Sequence, residues 1–268
     1  MSELKKLAGL ACSVARSPRL GLRLLGQLPW VMRGFAYGRD YRNQDATPAA
    51  ADGSRNPLRE FFDRRQSGRG IWKWLHYFDI YHRHLAKFIG QETHVMEIGV
   101  YSGGSLEMWR DYFGARCQVY GVDLQAACKA YENEYTKIFV GDQADREFWR
   151  SLRVPALDVL IDDGGHRPEQ QIATLEEMLP RIRPGGVYLC EDIHGINHGF
   201  AAYLQGMLND LNAMRSGGAG KPVQASPLQA AIQSIHFYPY VVVIEKARAP
   251  LLELNAPRHG TQWQPFKL

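Results

Sequence analysis

Val95-Met96-Glu97-Ile98-Gly99-Val100-Tyr101-Ser102-Gly103-Gly104-Ser105 is the stretch whose reading decides the fold. A short apolar run of strand type enters a pair of spaced glycines. Glycine lets a chain turn sharply and approach a ligand with no Cβ in the way. A helical pattern over 103–113 follows, and a helix starting there points its free N–H groups at whatever the turn holds. The alternation repeats downstream. Short apolar or β-branched runs at 118–122, 137–140, 157–161 and 187–190 are separated by helical patterns, notably 144–152 and 168–182. Strand and helix in alternation predict an α/β, doubly wound, mostly parallel sheet with helices on both faces. Residues 234–238, Pro239 and 240–246 predict two tightly joined strands, so a seven-stranded sheet is expected to end antiparallel.

The first turn has the form E-x-G-x-x-x-G rather than the dinucleotide fingerprint G-x-G-x-x-G. In this it resembles class I S-adenosylmethionine-dependent methyltransferases, whose Rossmann-like fold it implies. Two later strand ends support a bound nucleoside. Asp123-Leu124 closes the second strand, where an acid accepts ribose hydroxyls, and Asp142-Gln143 follows the third, suited to an adenine edge. The expected cofactor contacts are Glu97, Gly99, Tyr101, Ser102, Gly103, Asp123, Leu124, Asp142, Gln143 and Asp162.

The fourth strand ends in Asp162-Asp163-Gly164-Gly165-His166 and the fifth in Cys190-Glu191-Asp192. Neighbouring strands would bring these carboxylates together, where they repel one another unless a cation intervenes. Hard oxygen ligands from Asp163, Glu191 and Asp192 suit Mg²⁺ or another hard divalent ion. His166, on the same turn as Asp163, is the expected general base, since imidazole exchanges protons near neutrality. His194 and His198 are rival bases.

These motifs together resemble the Mg²⁺-dependent sugar O-methyltransferases of the macrocin, mycinamicin and tetracenomycin-rhamnose group. The likeness also rests on His76-Tyr77-Phe78-Asp79-Ile80-Tyr81-His82-Arg83-His84 and on His236-Phe237-Tyr238 with 241–246, and it spans roughly residues 70–246. The resemblance implies that Asp163, Glu191 and Asp192 hold the metal, that His166 is the base, and that the acceptor is a sugar hydroxyl. Family members often carry Ser where this chain has Gly165. The stretch after Asp192 has no counterpart in the pattern. An accessory or hydroxylase-type protein on the same fold, and a non-catalytic S-adenosylmethionine-binding protein, are the competing readings.

Elsewhere the sequence is less specific. Residues 2–37 have helical apolar spacing interrupted by Pro18 and Pro29, and 38–58 read as a linker. Two helical stretches follow over 58–89, divided near 67–70, the second with Trp72, Leu75, Tyr77, Tyr81 and Leu85 on one apolar face. The expected division is a helical or irregular arm 1–57, the cofactor-binding domain 58–250 and a tail 251–268. Apolar stripes on the arm must be covered, so a homo-oligomer is expected. Residues 1–70 carry net charge +7, leaving −3 for the remainder. The basic residues are scattered, so they read as a solvated face with no nucleic-acid partner. No run is long enough for a membrane span. The apolar stretch at 7–12 meets Arg16 at once, which is poor for a signal peptide. Cys12, Cys117, Cys128 and Cys190 lack metal or redox spacing and read as buried thiols of a cytoplasmic protein.

Overall fold

The computed structural model describes residues 14, 17–41, 55–195, 198–214 and 223–261. The chain divides into two units, Met1–Ser54 and Arg55–Leu268. In the first, Pro18 opens helix α1 (Pro18–Asp40) and Pro29 lies inside it. The expected interruption at Pro29 does not occur. A single proline removes one backbone bond, and the rest of a 23-residue helix carries on across it. The part of the apolar stripe at 2–13 lies outside the described residues, as does Cys12.

The second unit is built on strands β1 (Thr93–Ile98), β2 (Cys117–Asp123), β3 (Thr136–Val140), β4 (Leu157–Asp162), β5 (Ile182–Cys190), β7 (Ile232–Tyr238) and β8 (Val241–Lys246). Their order is β3-β2-β1-β4-β5-β8-β7, with β8 antiparallel to both neighbours and the other pairings parallel. This is the seven-stranded, mostly parallel sheet with an antiparallel end that the alternation predicts, as the resemblance to class I methyltransferases also implies. Two short strands, β6 (Val223–Gln224) and β9 (Glu253–Leu254), pair separately. Residues 251–254 therefore do not belong to a wholly unpaired tail.

Alternate strand residues face opposite layers, as the pleat requires. Val95, Val119, Val159, Ile161, Leu189 and Val243 pack under α2 (Pro57–Arg64), α3 (Tyr77–Leu85) and α4 (Gly104–Phe113). Met96, Tyr120, Leu160, Tyr188, Val242 and Ile244 pack under α5 (Arg146–Ser151), α6 (Pro168–Met178) and α7 (Gly199–Leu211). A short α8 (Pro227–Ala231) precedes β7. The apolar stripe of 58–66 is thus covered within the same unit, Leu58 fully and Phe61 and Phe62 partly, by packing of α2 against α3 and α4.

One helical expectation fails. Residues 71–76 are not helical, and Trp72 and Leu75 are exposed instead of sharing the buried face of α3. Helix α3 starts only at Tyr77, with Asp79 in its first turn and His82, Arg83 and His84 in its last, the signs its dipole favours. In the preceding segment Lys73 is turned inward, its side chain 3% exposed.

Candidate active site

Strand register delivers five strand ends to one edge. Ile98 aligns with Val122 and Asp162, Asp123 with Val140, and Asp162 with Cys190. Open α/β sheets bind ligands at that edge where strand order reverses. Here the reversal lies between β1 and β4, and a cleft of about 940 Å³ opens above it.

Gly99 makes the turn with φ +87°, and a Cβ there would stand 2.0 Å from the Asp163 carbonyl oxygen. No other residue fits. Asp123 then fixes the loop. Its Oδ2 accepts from the N–H groups of Val100 at 2.9 Å and Tyr101 at 3.1 Å, while Oδ1 accepts from Gln125 N–H at 2.8 Å. A carboxylate offers about four lone-pair sites. Three are taken, so Asp123 can receive fewer ribose hydroxyls than its position suggested. Tyr101, Ser102, Leu124, Asp142 and Gly99 line the cleft as expected of cofactor contacts.

Four expected contacts sit differently. Gly103 does not line the cleft but caps α4 at φ +73°, against the Tyr131 ring. Glu97 is fully buried, accepts from Ser105 Oγ–H, and is not on the cleft wall. Asp162 is also buried behind the wall, accepting from Gln143 Nε2–H at 3.0 Å and Tyr188 O–H at 3.2 Å. Burial pushes its carboxyl up to about 6, against those hydrogen bonds. Gln143 reaches the wall, but its carboxamide is committed to Asp162, Thr174 and the Gly165 N–H, so it braces the Asp162–Gly165 turn rather than offering a free edge. Gly165 itself fits because a Cβ would meet the Gln170 carboxamide at 2.2 Å.

The acids gather as the strand order requires. His166 Nε2 lies 3.6 Å from Asp192 Oδ2 and 3.9 Å from Asp163 Oδ1. Ligand atoms of Asp163, His166 and Asp192 fall within 4.8 Å of one another. His194 also lines the cleft, 3.5 Å from Asp192 Oδ1. His198 does not. Its Nε2 lies 3.2 Å from the backbone oxygen of His166, bracing that residue from behind. Tyr101, His166 and Asp192, all on the cleft wall, hold φ of 48°, 55° and 55°. Such conformations cost about 1–3 kcal/mol each in non-glycine residues and cluster at functional sites.

Glu191 departs from the expected ligand group. It is buried and turned to Lys73 Nζ, at 3.0–3.1 Å, and to Tyr81, whose hydroxyl donates to it at 2.6 Å. Lys73 also donates to Asp163 Oδ2 at 2.6 Å and approaches Glu97 Oε1 at 3.4 Å. Burial alone would discharge this lysine, but Glu191, Asp163 and Glu97 outweigh it and hold the ammonium charged. One ammonium cannot neutralise three carboxylates. The excess raises Glu191, through burial first and Asp163 second, and raises Glu97 through burial. A divalent cation beside Asp163 would relieve the same excess, so the donor set fits a hard ion. Lys73, Tyr77 and Tyr81 are functional neighbours the sequence reading missed. A lone lysine between two tryptophans was the available signal.

Residues 96–193 match a methyltransferase domain family. The chain is 31% identical over 220 residues to the 8-demethyl-8-alpha-L-rhamnosyl tetracenomycin-C 2'-O-methyltransferase of Streptomyces olivaceus, covering 74% of this chain and 57% of that protein. It is 30% identical over 230 residues to the mycinamicin VI 2''-O-methyltransferase of Micromonospora griseorubida, covering 74% and 55%. The chain spans about half the length of the curated relatives it matches. Among solved structures, it is similar to the MycE methyltransferase of mycinamycin biosynthesis in complex with Mg and SAH, with a TM-score of 0.61 and 26% identity over 72% of this chain and 55% of that one. The chain therefore has the fold of class I methyltransferases and is similar, over about three quarters of its length, to sugar O-methyltransferases.

Proposed function

We propose that this chain transfers a methyl group from S-adenosylmethionine to a hydroxyl of a sugar or sugar-bearing natural product. The observation that carries the reading is a single one. His166 Nε2 stands beside Asp163 and Asp192 in the same cleft as the Gly99 turn and Asp123. S-adenosylmethionine supplies the electrophilic methyl. Gly99, Tyr101, Ser102, Asp123, Leu124 and Asp142 hold the nucleoside, with Glu97, Gly103, Gln143 and Asp162 supporting them. Binding both reactants in one cleft contributes through proximity and orientation. His166 takes the hydroxyl proton at Nε2, which faces the carboxylates of Asp163 and Asp192. Asp163 and Asp192, with Glu191 behind them, would hold a hard divalent ion such as Mg²⁺, which when bound polarises a hydroxyl oxygen as a Lewis acid. Tyr77 donates to Asp192 Oδ1 at 2.6 Å and fixes that carboxylate.

Calorimetric titration with S-adenosylmethionine and S-adenosylhomocysteine, with and without Mg²⁺, tests the reading alongside methyl transfer to a panel of rhamnosides and other sugars. EDTA is expected to abolish turnover and leave cofactor affinity nearly intact. Cofactor binding with no transfer to any sugar favours a non-catalytic binding protein. Asp123→Ala is expected to weaken cofactor binding about 5–150-fold, equivalent to about 1–3 kcal/mol, because it removes a nucleoside acceptor and frees the Val100 and Tyr101 N–H groups. Unchanged affinity sinks that assignment.

The chain is further read as a cytoplasmic homo-oligomer with no nucleic-acid partner. No helix among the described residues is long and apolar enough to cross a membrane. Cys117, Cys128 and Cys190 are buried free thiols, which suits a reducing compartment. Within its own unit α1 leaves Leu24, Leu25, Leu28, Val31 and Phe35 uncovered. Sedimentation of the full chain is expected to give an oligomer, and removal of residues 1–57 to shift it toward monomer. A monomer in both forms refutes the expectation.

A further inference from the structure

Tyr77, Tyr81 and His84 occupy one face of α3 and each meets an acid in a strand or just past its end. Tyr77 meets Asp192, Tyr81 meets Glu191 and His84 meets Glu245. The first two pairs belong to the cleft. The third lies deeper, because Glu245 pairs with Val187 whereas Val242 pairs with Cys190 at the cleft edge. Three strand residues separate them by roughly 10 Å. On β7, His236 faces the same point. His84 Nδ1 is 3.2 Å from Glu245 Oε1, His236 Nε2 is 3.9 Å from Glu245 Oε2, and the ligand atoms of all three lie within 4.8 Å of one another.

We propose that His84, His236 and Glu245 form a second metal site, for a borderline divalent ion of the Zn²⁺, Co²⁺ or Ni²⁺ type, that ties α3 to the β7–β8 hairpin. Two imidazole nitrogens and one carboxylate oxygen suit these ions, whereas Mg²⁺ prefers oxygen. Around a tetrahedral ion with bonds of ~2.0–2.1 Å, ligand atoms stand roughly 3.3 Å apart. One pair is already at that spacing and the rest lie within 4.8 Å, on a helix and two strands, so side-chain adjustment closes the site around an ion. Their outer partners are in place. The Tyr238 hydroxyl is 2.8 Å from His84 Nε2 and can accept from that nitrogen once Nδ1 binds an ion. Ser234 Oγ, 2.9 Å from His236 Nε2 and 3.4 Å from Glu245 Oε2, borders the fourth position. Lys87 Nζ, 3.2 Å from Glu245 Oε1, is the competing cation. Its side chain is 30% exposed and free to swing outward when an ion enters.

The test uses the full chain, stripped with chelator, dialysed into excess Mg²⁺ and titrated with Co²⁺ alone. One Co²⁺ per chain with the strong visible bands of four-coordinate cobalt, displaced by Zn²⁺, is expected. Tyr238→Phe should weaken binding about 10–100-fold, the usual worth of an outer hydrogen bond to a ligating histidine. The half-exposed His236→Ala, or Glu245→Gln should it fold poorly, should weaken binding further. Lys87→Gln should tighten it. His166→Ala should leave the cobalt bands unchanged, which separates this site from the cleft and from the fate of the methyltransfer reading. No four-coordinate Co²⁺ signal, a signal indifferent to both His236→Ala and Glu245→Gln, or one lost in His166→Ala overturns the proposal.

Discussion

Lys73→Met is expected to lose about 3–5 kcal/mol of folding stability, the usual penalty for breaking a buried ion pair by removing one partner. The lysine is 3% exposed and stands within 3.4 Å of Asp163, Glu191 and Glu97. Methionine matches its length and leaves Glu191 and Glu97 with no protein cation among their described ion-pair partners, and Asp163 with His166 alone at 3.9 Å. Urea unfolding measures the loss, and a midpoint equal to wild type at pH 8 refutes it. The deficit should depend on pH with a definite sign. Glu191 and Glu97 already sit above the ordinary carboxylate range, and losing Lys73 raises them further. A carboxyl raised in the folded state costs nothing below its unfolded value of about 4.3, and its cost grows as pH rises through the window above that. The variant should therefore approach wild type in acid and fall away from it toward pH 8. Saturating Mg²⁺ should restore part of the loss if Asp163 takes the ion, a readout separate from turnover.

His166→Ala is expected to lose about 10²–10⁴-fold in the rate of methyl transfer while keeping cofactor affinity, the range of a positioned general base. Residual activity should climb with pH, because hydroxide must then take the proton that Nε2 accepts in the native chain. The same variant separates two roles the geometry leaves side by side. A base leaves Mg²⁺ affinity intact. A ligand, which the shared 4.8 Å grouping with Asp163 and Asp192 permits, takes metal affinity down with the rate. A near-wild-type rate would move the base role to His194, which shares the cleft and Asp192, and away from His198, which faces the His166 backbone.

The sequence by itself determined the sheet, its glycine turn and the edge at which the acids collect. Strand patterning and the E-x-G-x-x-x-G turn are local, and in a parallel sheet the residue after each strand is delivered to one edge by register alone. Asp123, Asp163, His166 and Asp192 were legible for that reason. Tertiary structure decided which of those groups face the cleft. Glu97 and Asp162 carry the right chemistry but are buried behind the wall, and Glu191, although at the wall, is turned to Lys73 and Tyr81, because their strands give them partners that no local pattern reveals. Lys73 was invisible to patterning since its partners Asp163 and Glu191 lie 90 and 118 residues away. Its neighbourhood resembled an apolar helix start, and burial of one ammonium against three carboxylates overrode that local preference. The ladder Tyr77–Asp192, Tyr81–Glu191 and His84–Glu245 belongs to the same class. Helical spacing set the three side chains on one face, but only the packing of α3 against β5 and β8 could say that each would meet an acid.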